Sequence, residues 1–343
     1  MKRFFVSIIF VGFLLSAQAA SAHEAYVLSK KQLEEGLRSV GFDSFAALRS
    51  SHNIKVAVFV GLGIVVALAL SFLFRQSRKG KRFYHALDTG LLHRAAPLIL
   101  RLTLAASLFF CAFSGSFLGP ELPLNALPLP YVLRTALFLI SGFLALGLLT
   151  EVAALAAFLI FALGALTYGW YTITYLNYLG EIVALSLFGS GLLSLDYLFF
   201  VRKGPFAGIK RYEEPLIRVS YGVSLLYTAI SIKLLHPLIT QMVVNQYHLT
   251  RFYLLFPRDP LLVTLGAALV EIALGIFIII GFELRLIVLV SLFLYTLSLL
   301  FFGEAVWPHL MLYGISFYLL FNPEIGSVDN LLMRWKFLPK HFR

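Results

Sequence analysis

The sequence repeats itself. Two stretches, 95–200 and 216–330, match position by position and close on Ser194-Leu195-Asp196 and Ser327-Val328-Asp329. In their first helices, Arg101, Ser107, Leu108, Ala112 and Ser114 correspond to Arg218, Ser224, Leu225, Ala229 and Ser231 at a constant offset of 117. Further on, Gly147, Leu155, Leu166, Gly169, Gly180 and Leu185 correspond to Gly281, Leu289, Leu300, Gly303, Gly314 and Leu319 at an offset of 134. The change of offset is a 17-residue insertion after the first helix of the second unit. A repeat fixes what the folding unit is before any fold is considered.

The unit is a membrane one. The chain is 60% hydrophobic and 13% charged, with a mean hydropathy of +0.88. A soluble domain is about a quarter charged. The net charge of +11 lies in the segments between apolar runs, so membrane topology accounts for it and nucleic acid is not an expected partner. Residues 1–22 have the form of a secretory signal: Lys2 and Arg3, an apolar run Phe4 to Leu15, and a small-residue site Ala20-Ser21-Ala22. Cleavage there makes His23 the mature N-terminus; the alternative is retention as an anchor. The single cysteine, Cys111, excludes an intramolecular disulfide and a two-cysteine relay.

Residues 23–53 form a short extracytoplasmic segment with a capping-box pattern at Ser29-Lys30-Lys31-Gln32. The expected fold is all-α and polytopic, with nine transmembrane helices. They run approximately 54–74, 95–115, 131–149, 152–168, 176–200, 216–235, 260–280, 286–302 and 308–321. The first, with a basic loop, occupies 54–94. Four make unit one (95–200), a linker covers 201–215, four make unit two (216–330), and 331–343 is a basic tail. Lys and Arg crowd into 75–94, 202–211 and the tail, whereas 116–130 and 169–179 contain none. Basic segments stay in the cytoplasm. That rule puts the mature N-terminus outside a prokaryotic plasma membrane and the C-terminus inside. Each unit has an even number of helices, so both insert in the same sense, a parallel duplication rather than an inverted repeat.

Arg218…Lys233 in the first helix, Glu271-x-x-x-Gly275 in the second, Gly281-Phe282-Glu283-Leu284-Arg285 after it and the terminal Gly326-Ser327-Val328-Asp329 resemble the DoxX family of four-helix membrane domains. The second unit carries the resemblance best. The first is degenerate, with Ser116 in place of Lys233 and Leu137 in place of Glu271. The resemblance implies a membrane domain associated with quinone-linked redox complexes. No cofactor is evident in the sequence itself; the resemblance admits a quinone, and redox-enzyme subunits as partners besides the bilayer.

Glu271 lies near the middle of its helix, where an ionisable group defaults to a functional reading. The structural alternative is a glutamate that holds helices together, protonated or paired with lysine. Lys233, Glu304 and His309 belong at the outer ends of their helices and complete a candidate polar cavity able to bind an acidic or quinone-like head group and exchange protons. Each alone also reads as an ordinary interfacial residue. The first unit has Trp170 and Tyr175 where the second has Glu304 and His309. Arg101 with Glu151, and Arg218 with Glu283 and Arg285, read as structural charge networks at cytoplasmic helix ends. Tyr168, Trp170, Tyr171, Tyr175 and Tyr178 read as an interfacial aromatic belt, or less simply as a quinone-stacking surface. His23, as a mature N-terminus, would offer an amine and an imidazole to copper, with His52 as a second ligand.

Three functions fit: a membrane subunit or accessory protein of a quinone-linked oxidoreductase, a small-molecule carrier using Glu271 and Lys233 as a coupling pair, or a non-catalytic assembly protein. N-terminal sequencing of the membrane-inserted protein is expected to begin at His23. Cu(II) is expected to bind that mature protein and to bind much less after His23→Ala; equal binding by both would remove the metal reading.

Overall fold

A computed structural model of the chain describes residues 28, 31–32, 35–36, 43–189, 193–200, 207–252, 256–322 and 325–334. The expected signal segment 1–22, His23 and most of the basic tail lie outside the described residues. The described residues are helical apart from one two-stranded ribbon. In chain order the helices are α1 (Ser51–Gln76), α2 (Arg78–Thr89), α3 (Leu91–Ser114), α4 (Pro130–Leu146), α5 (Thr150–Tyr168), α6 (Leu176–Phe188) and α7 (Leu195–Phe200). There follow α8 (Glu213–Thr228), α9 (Pro237–Gln246), α10 (Pro260–Ile280), α11 (Leu284–Phe302), α12 (Val306–Phe321) and α13 (Val328–Arg334). The ribbon pairs β1 (Ser116–Phe117) with β2 (Gly119–Pro123).

Among the described residues, six apolar stretches are long enough to cross a membrane: 51–76, 91–114, 150–188, 210–234, 260–280 and 284–302. The stretch 150–188 folds back on itself, because α5 and α6 pack together and Asp196, beyond α6, reaches the start of α5. Helices α4 and α12 are apolar but shorter. The helix expected over 176–200 is two helices, since Gly189 ends α6 and α7 turns back toward α5. The chain after the first helix of the second unit, where the insertion falls, contains α9 and a 3-10 turn at Leu249–Arg251.

Local signals set the helix ends. Proline opens α4, α9 and α10, where its missing N–H costs nothing. Asp259 caps α10 by accepting the Leu261 N–H at 2.9 Å. Gly147 and Gly281 end α4 and α10 in the left-handed conformation, at φ 62° and 66°.

Each of these two glycines is the seat of an arginine. At the first, Asp196 accepts the N–H groups of Leu149 (2.7 Å) and Thr150 (2.9 Å), and its own N–H donates to the Gly147 carbonyl (2.9 Å). Ser194 accepts the Tyr197 N–H at 3.1 Å, and Arg101 donates to the Leu193 carbonyl at 2.9 Å. A Cβ on Gly147 would stand 2.5 Å from the Arg101 guanidinium. At the second, Asp329 accepts the Leu284 N–H (3.4 Å) and its N–H donates to the Gly281 carbonyl (3.2 Å). Ser327 accepts the Asn330 N–H (3.1 Å), Arg218 reaches the Ile325 and Gly326 carbonyls (3.4 and 3.5 Å), and a Cβ on Gly281 would overlap its guanidinium.

Packing follows the same pattern. Helix α3 packs on α4 and α8 on α10, while α5 pairs with α6 and α11 with α12. The strongest contacts between the halves are reciprocal: α3 lies on α12, and α8 lies on α6. Both contacts turn on a glycine. Thr103 sits against Gly314, and Ser220 sits against Gly180, each so close that a Cβ would overlap the hydroxyl. Small residues let apolar helices approach closely where lipid supplies no hydrophobic drive between them.

Two lids close the end opposite the basic segments. Over the first half, the ribbon buries Phe117, Leu118 and Leu122, and the Phe117 ring stacks on Tyr168 with centroids 6.0 Å apart. Over the second, α9 packs on α10 and on the end of α8, where Ile239 and Val243 cluster with Ile232 and Leu28.

Replacing Gly281 by alanine forces a left-handed backbone on an L-residue, costing about 1–2 kcal/mol, and displaces Arg218 besides. Thermal unfolding in detergent is expected to show Gly281→Ala clearly less stable than wild type, and an unchanged midpoint would mean that the arginine seat contributes nothing.

Candidate functional site

Helix α8 does not end as it begins. After Thr228 the chain passes into a π-helical turn, Ala229–Leu234, a wider winding that occurs mostly at functional sites. Lys233 lies on that turn and is buried. Its Nζ donates to Glu271 Oε1 on α10 at 2.5 Å. The two side chains retain 10% and 26% of their exposure, so this is a mostly buried ion pair between apolar helices.

Glu304 and His309, on either side of the start of α12, form a second pair. His309 Nε2 lies 3.0 Å from Glu304 Oε2, and Ser298 donates to Glu304 Oε1 at 2.9 Å. The other ring nitrogen, Nδ1, is 3.0 Å from the Ala305 carbonyl, which can only accept, so Nδ1 carries a proton. The two side chains make an ion pair when the imidazole is protonated. Both groups are almost completely buried. Of the four residues read from the sequence as one cavity, the structure thus makes two pairs.

Behind Glu271 lies a set of hydroxyls that sequence reasoning missed. Tyr295 of α11 is within electrostatic reach of Glu271. The Tyr221 hydroxyl donates to that of Tyr295 at 2.9 Å and lies 3.3 Å from Ser316, with Ser291 bonded to both tyrosines. At the matching offsets the first half has Phe161, Leu104, Ile182 and Ala157, and Leu137 in place of Glu271. There, Leu137, Ala157, Phe161 and Ile182 line an apolar void of about 10 Å³ beside Cys111, too small for more than one water.

A second missed cluster lies toward the basic end, between α6, α8 and α12. Glu181 is fully buried and neither of its oxygens has a hydrogen-bond partner. It faces Glu213, which is hydrogen-bonded to Tyr318 and stands 3.9 Å from Lys210, while Glu214 pairs with Arg218 at 3.0 Å. The signal for Glu181 was available: an acidic residue within an apolar run.

The charged residues at the basic end take specific partners. Arg101 has Asp196 as its charge partner, and Arg218 has Glu214. Glu283 bonds Ser71 of α1, and Arg285 pairs with Asp88 of α2. Arg75 of α1 forms a buried bridge to Asp329 at 2.5 Å. The Tyr84 ring lies between the Arg75 and Arg285 guanidinium groups, at 5.0 and 4.9 Å from its centroid. Burial pushes the Glu283 carboxyl above its ordinary range; the Ser71 hydrogen bond counters this, Asp329 adds to it, and Arg75 again counters.

The aromatic group at the opposite end is mostly tied down. Tyr171 and Tyr175 donate to Glu121, Tyr168 donates to the Pro123 carbonyl at 2.5 Å, and Tyr178 bonds Ser107. Trp170 is the exception: it is 80% exposed and borders an open apolar crevice of about 340 Å³ with Phe161, Ile173 and Leu176. Among the described residues no group of three His, Cys, Asp or Glu side chains could hold a metal. His23 lies outside them, and His52 is exposed on the first turn of α1. The chain matches no protein-family model, no curated protein and no solved structure.

Removing one partner of a buried ion pair strands the other. Lys233→Met or Glu271→Leu alone is expected to cost about 3 kcal/mol, the low end for a buried pair because Glu271 is partly exposed. The double variant Lys233→Met/Glu271→Leu is expected to regain most of that loss in thermal unfolding. If the double variant is as unstable as the sum of the singles, the two groups do not act as a pair.

Proposed function

We propose that this chain is a membrane subunit or accessory protein of a quinone-linked oxidoreductase system, and that the second half holds the quinone head. In this reading the chain is DoxX-like: two tandem four-helix units inserted in the same sense, preceded by one extra helix. Nine helices span a prokaryotic plasma membrane after removal of a signal peptide, with the basic segments in the cytoplasm. The matching arginine seats and the reciprocal α3–α12 and α8–α6 contacts support the duplication. The short helices α4, α6 and α12 support the count, because each packs along a longer apolar neighbour.

The observation that carries the functional reading is the Lys233–Glu271 pair, buried where the first half has Ser116 and Leu137. Reduction of a quinone places two electrons and two protons on the head group. Electrons would come from a partner subunit; this chain's residues would bind and supply protons. The Lys233 ammonium can donate to a carbonyl oxygen, the imidazole of His309 beside Glu304 can exchange a proton, and the hydroxyls of Tyr295 and Tyr221 can pass a proton between neighbours. The first half has apolar side chains at the tyrosine and serine positions of the second and serves as scaffold.

One observation favours a second reading, a proton-coupled carrier. Glu181, buried and unpartnered toward the basic end, and Glu271, near the middle of α10, give two carboxyls at different levels, as alternating access to protons requires.

The readings separate on bound ligand. Protein extracted in native lipid discs and examined by mass spectrometry is expected to carry quinone at near one per chain. Lys233→Met and Glu271→Leu are expected to lose it. Wild-type protein free of quinone, with a proton-driven solute flux in proteoliposomes, would replace the first reading with the second.

A further inference from the structure

Helix α1 is fastened at both ends and touches nothing between. Asn53 donates to Asp259 at 2.5 Å and to the Ala47 carbonyl at 2.9 Å, and Val56 packs with Leu262 and Leu265 of α10. Toward the basic end Leu68 packs on the main core, Ser71 bonds Glu283, and Arg75 bridges Asp329. Residues 57–67, eleven in succession and three full turns, are exposed on every face. A Cβ built on Gly61 or Gly63 would meet no atom within 4 Å. Asp259 caps the start of α10 and Glu283 follows its end, so α1 covers the same interval as α10 and stands off from its middle.

The facing wall is apolar too. Leu269, Ile276 and Ile280 of α10 are exposed. At 3.6 residues per turn they fall within about 60° of Leu265, which marks the side of α10 that meets the start of α1. Two tethered ends and two aliphatic walls frame a window through the protein at membrane depth.

One end of this window is strongly basic. Helix α2 leaves α1 at Ser77 and presents Arg78, Lys79, Lys81 and Arg82, all exposed and none in an ion pair with a described residue. Arg78, Lys81 and Arg82 share one side, within about 100°. The flank of α2 next to Lys81 is pinned to the bundle, by Tyr84 against the Arg75 and Arg285 guanidinium groups and by Asp88 on Arg285. Phe83, exposed beside the cations, supplies an apolar residue at the same level.

We propose that the window binds an anionic phospholipid, its acyl chains between α1 and α10 and its phosphate on Arg78, Lys81 and Arg82. The walls from 57 to 67 hold no polar side chain, and the cations stand at one end only. An amphiphile with a hydrocarbon tail and an anionic head has the same polarity, whereas a zwitterionic lipid satisfies the walls and leaves the cations unmatched. The lipid replaces the direct helix contact that α1 lacks and fixes it to the bundle. This inference rests on the chain lying in a bilayer and not on what the Lys233 site binds.

Native mass spectrometry of the full-length protein tests it, with dioleoyl phosphatidylglycerol and dioleoyl phosphatidylcholine offered in equal amounts. The wild type is expected to retain one phosphatidylglycerol through detergent exchange in preference to phosphatidylcholine. Arg78→Gln/Lys81→Gln/Arg82→Gln is expected to lose that preference by about a hundredfold. Ile276→Trp, which fills the window from the opposite wall, is expected to lower retention of both lipids while the thermal midpoint and helix content hold. Equal retention of the two lipids by wild type, or retention unchanged in either variant, overturns the proposal. A dimer that Ile276→Trp dissociates would assign the window to a second copy of the chain instead.

Discussion

Everything at the basic end hangs on a buried guanidinium held against a glycine that no other residue can replace without strain. Arg218 occupies the space where Gly281 has no side chain, and Arg101 does the same at Gly147. An arginine in an apolar bundle must satisfy its donors or lose several kcal/mol. Here one terminal nitrogen of each guanidinium is used to gather chain ends. Arg101 holds the carbonyl of Leu193, Arg218 holds those of Ile325 and Gly326, and the aspartates three residues beyond Leu193 and Gly326 cap the next helix of the same half. One interaction type therefore fixes where two helices end, where two begin and how the last turn of each half returns. The second seat also recruits α1 and α2, through Arg75 on Asp329 and Arg285 on Asp88.

With matching helix ends, the two halves have different interiors. The first is filled by Leu104, Leu137, Phe161 and Ile182 around a void smaller than a methyl-lined pocket needs to hold a ligand. The second places Tyr221, Glu271, Tyr295 and Ser316 in the same positions. The frame tolerates both fillings because it is set at the helix ends and at the glycine contacts, not by the central side chains.

Much of this was legible in the sequence, and what was not has a physical cause. The apolar runs, the glycine positions and the Ser-x-Asp endings are local signals, and each marks a helix or its end. Glu271 and Lys233 could be paired because both are ionisable groups in apolar surroundings, where partners are few. Glu304 and His309 lie near each other in the chain, and their contact is local. Glu181 stands alone in an apolar run, and its neighbours Glu213 and Tyr318 come from distant helices that no local pattern brings to it. The charge partners Asp196 of Arg101 and Glu214 of Arg218 carry no local signal at the helix ends where Glu151 and Glu283 stand. The lids at the opposite end were illegible, since a two-residue strand and a ten-residue helix leave little periodicity to read.

The reciprocal contact between halves sets an order in time. Thr103 rests against Gly314, which lies 211 positions later, whereas Ser220 rests against Gly180, only 40 positions earlier. As the chain leaves the ribosome, the face of α3 that will receive α12 waits uncovered for on the order of 10–40 s at ordinary rates of synthesis. The α6–α8 contact closes long before. During that interval the first half lies in the bilayer as an incomplete bundle, held by its own arginine seat and covered on one side only by lipid.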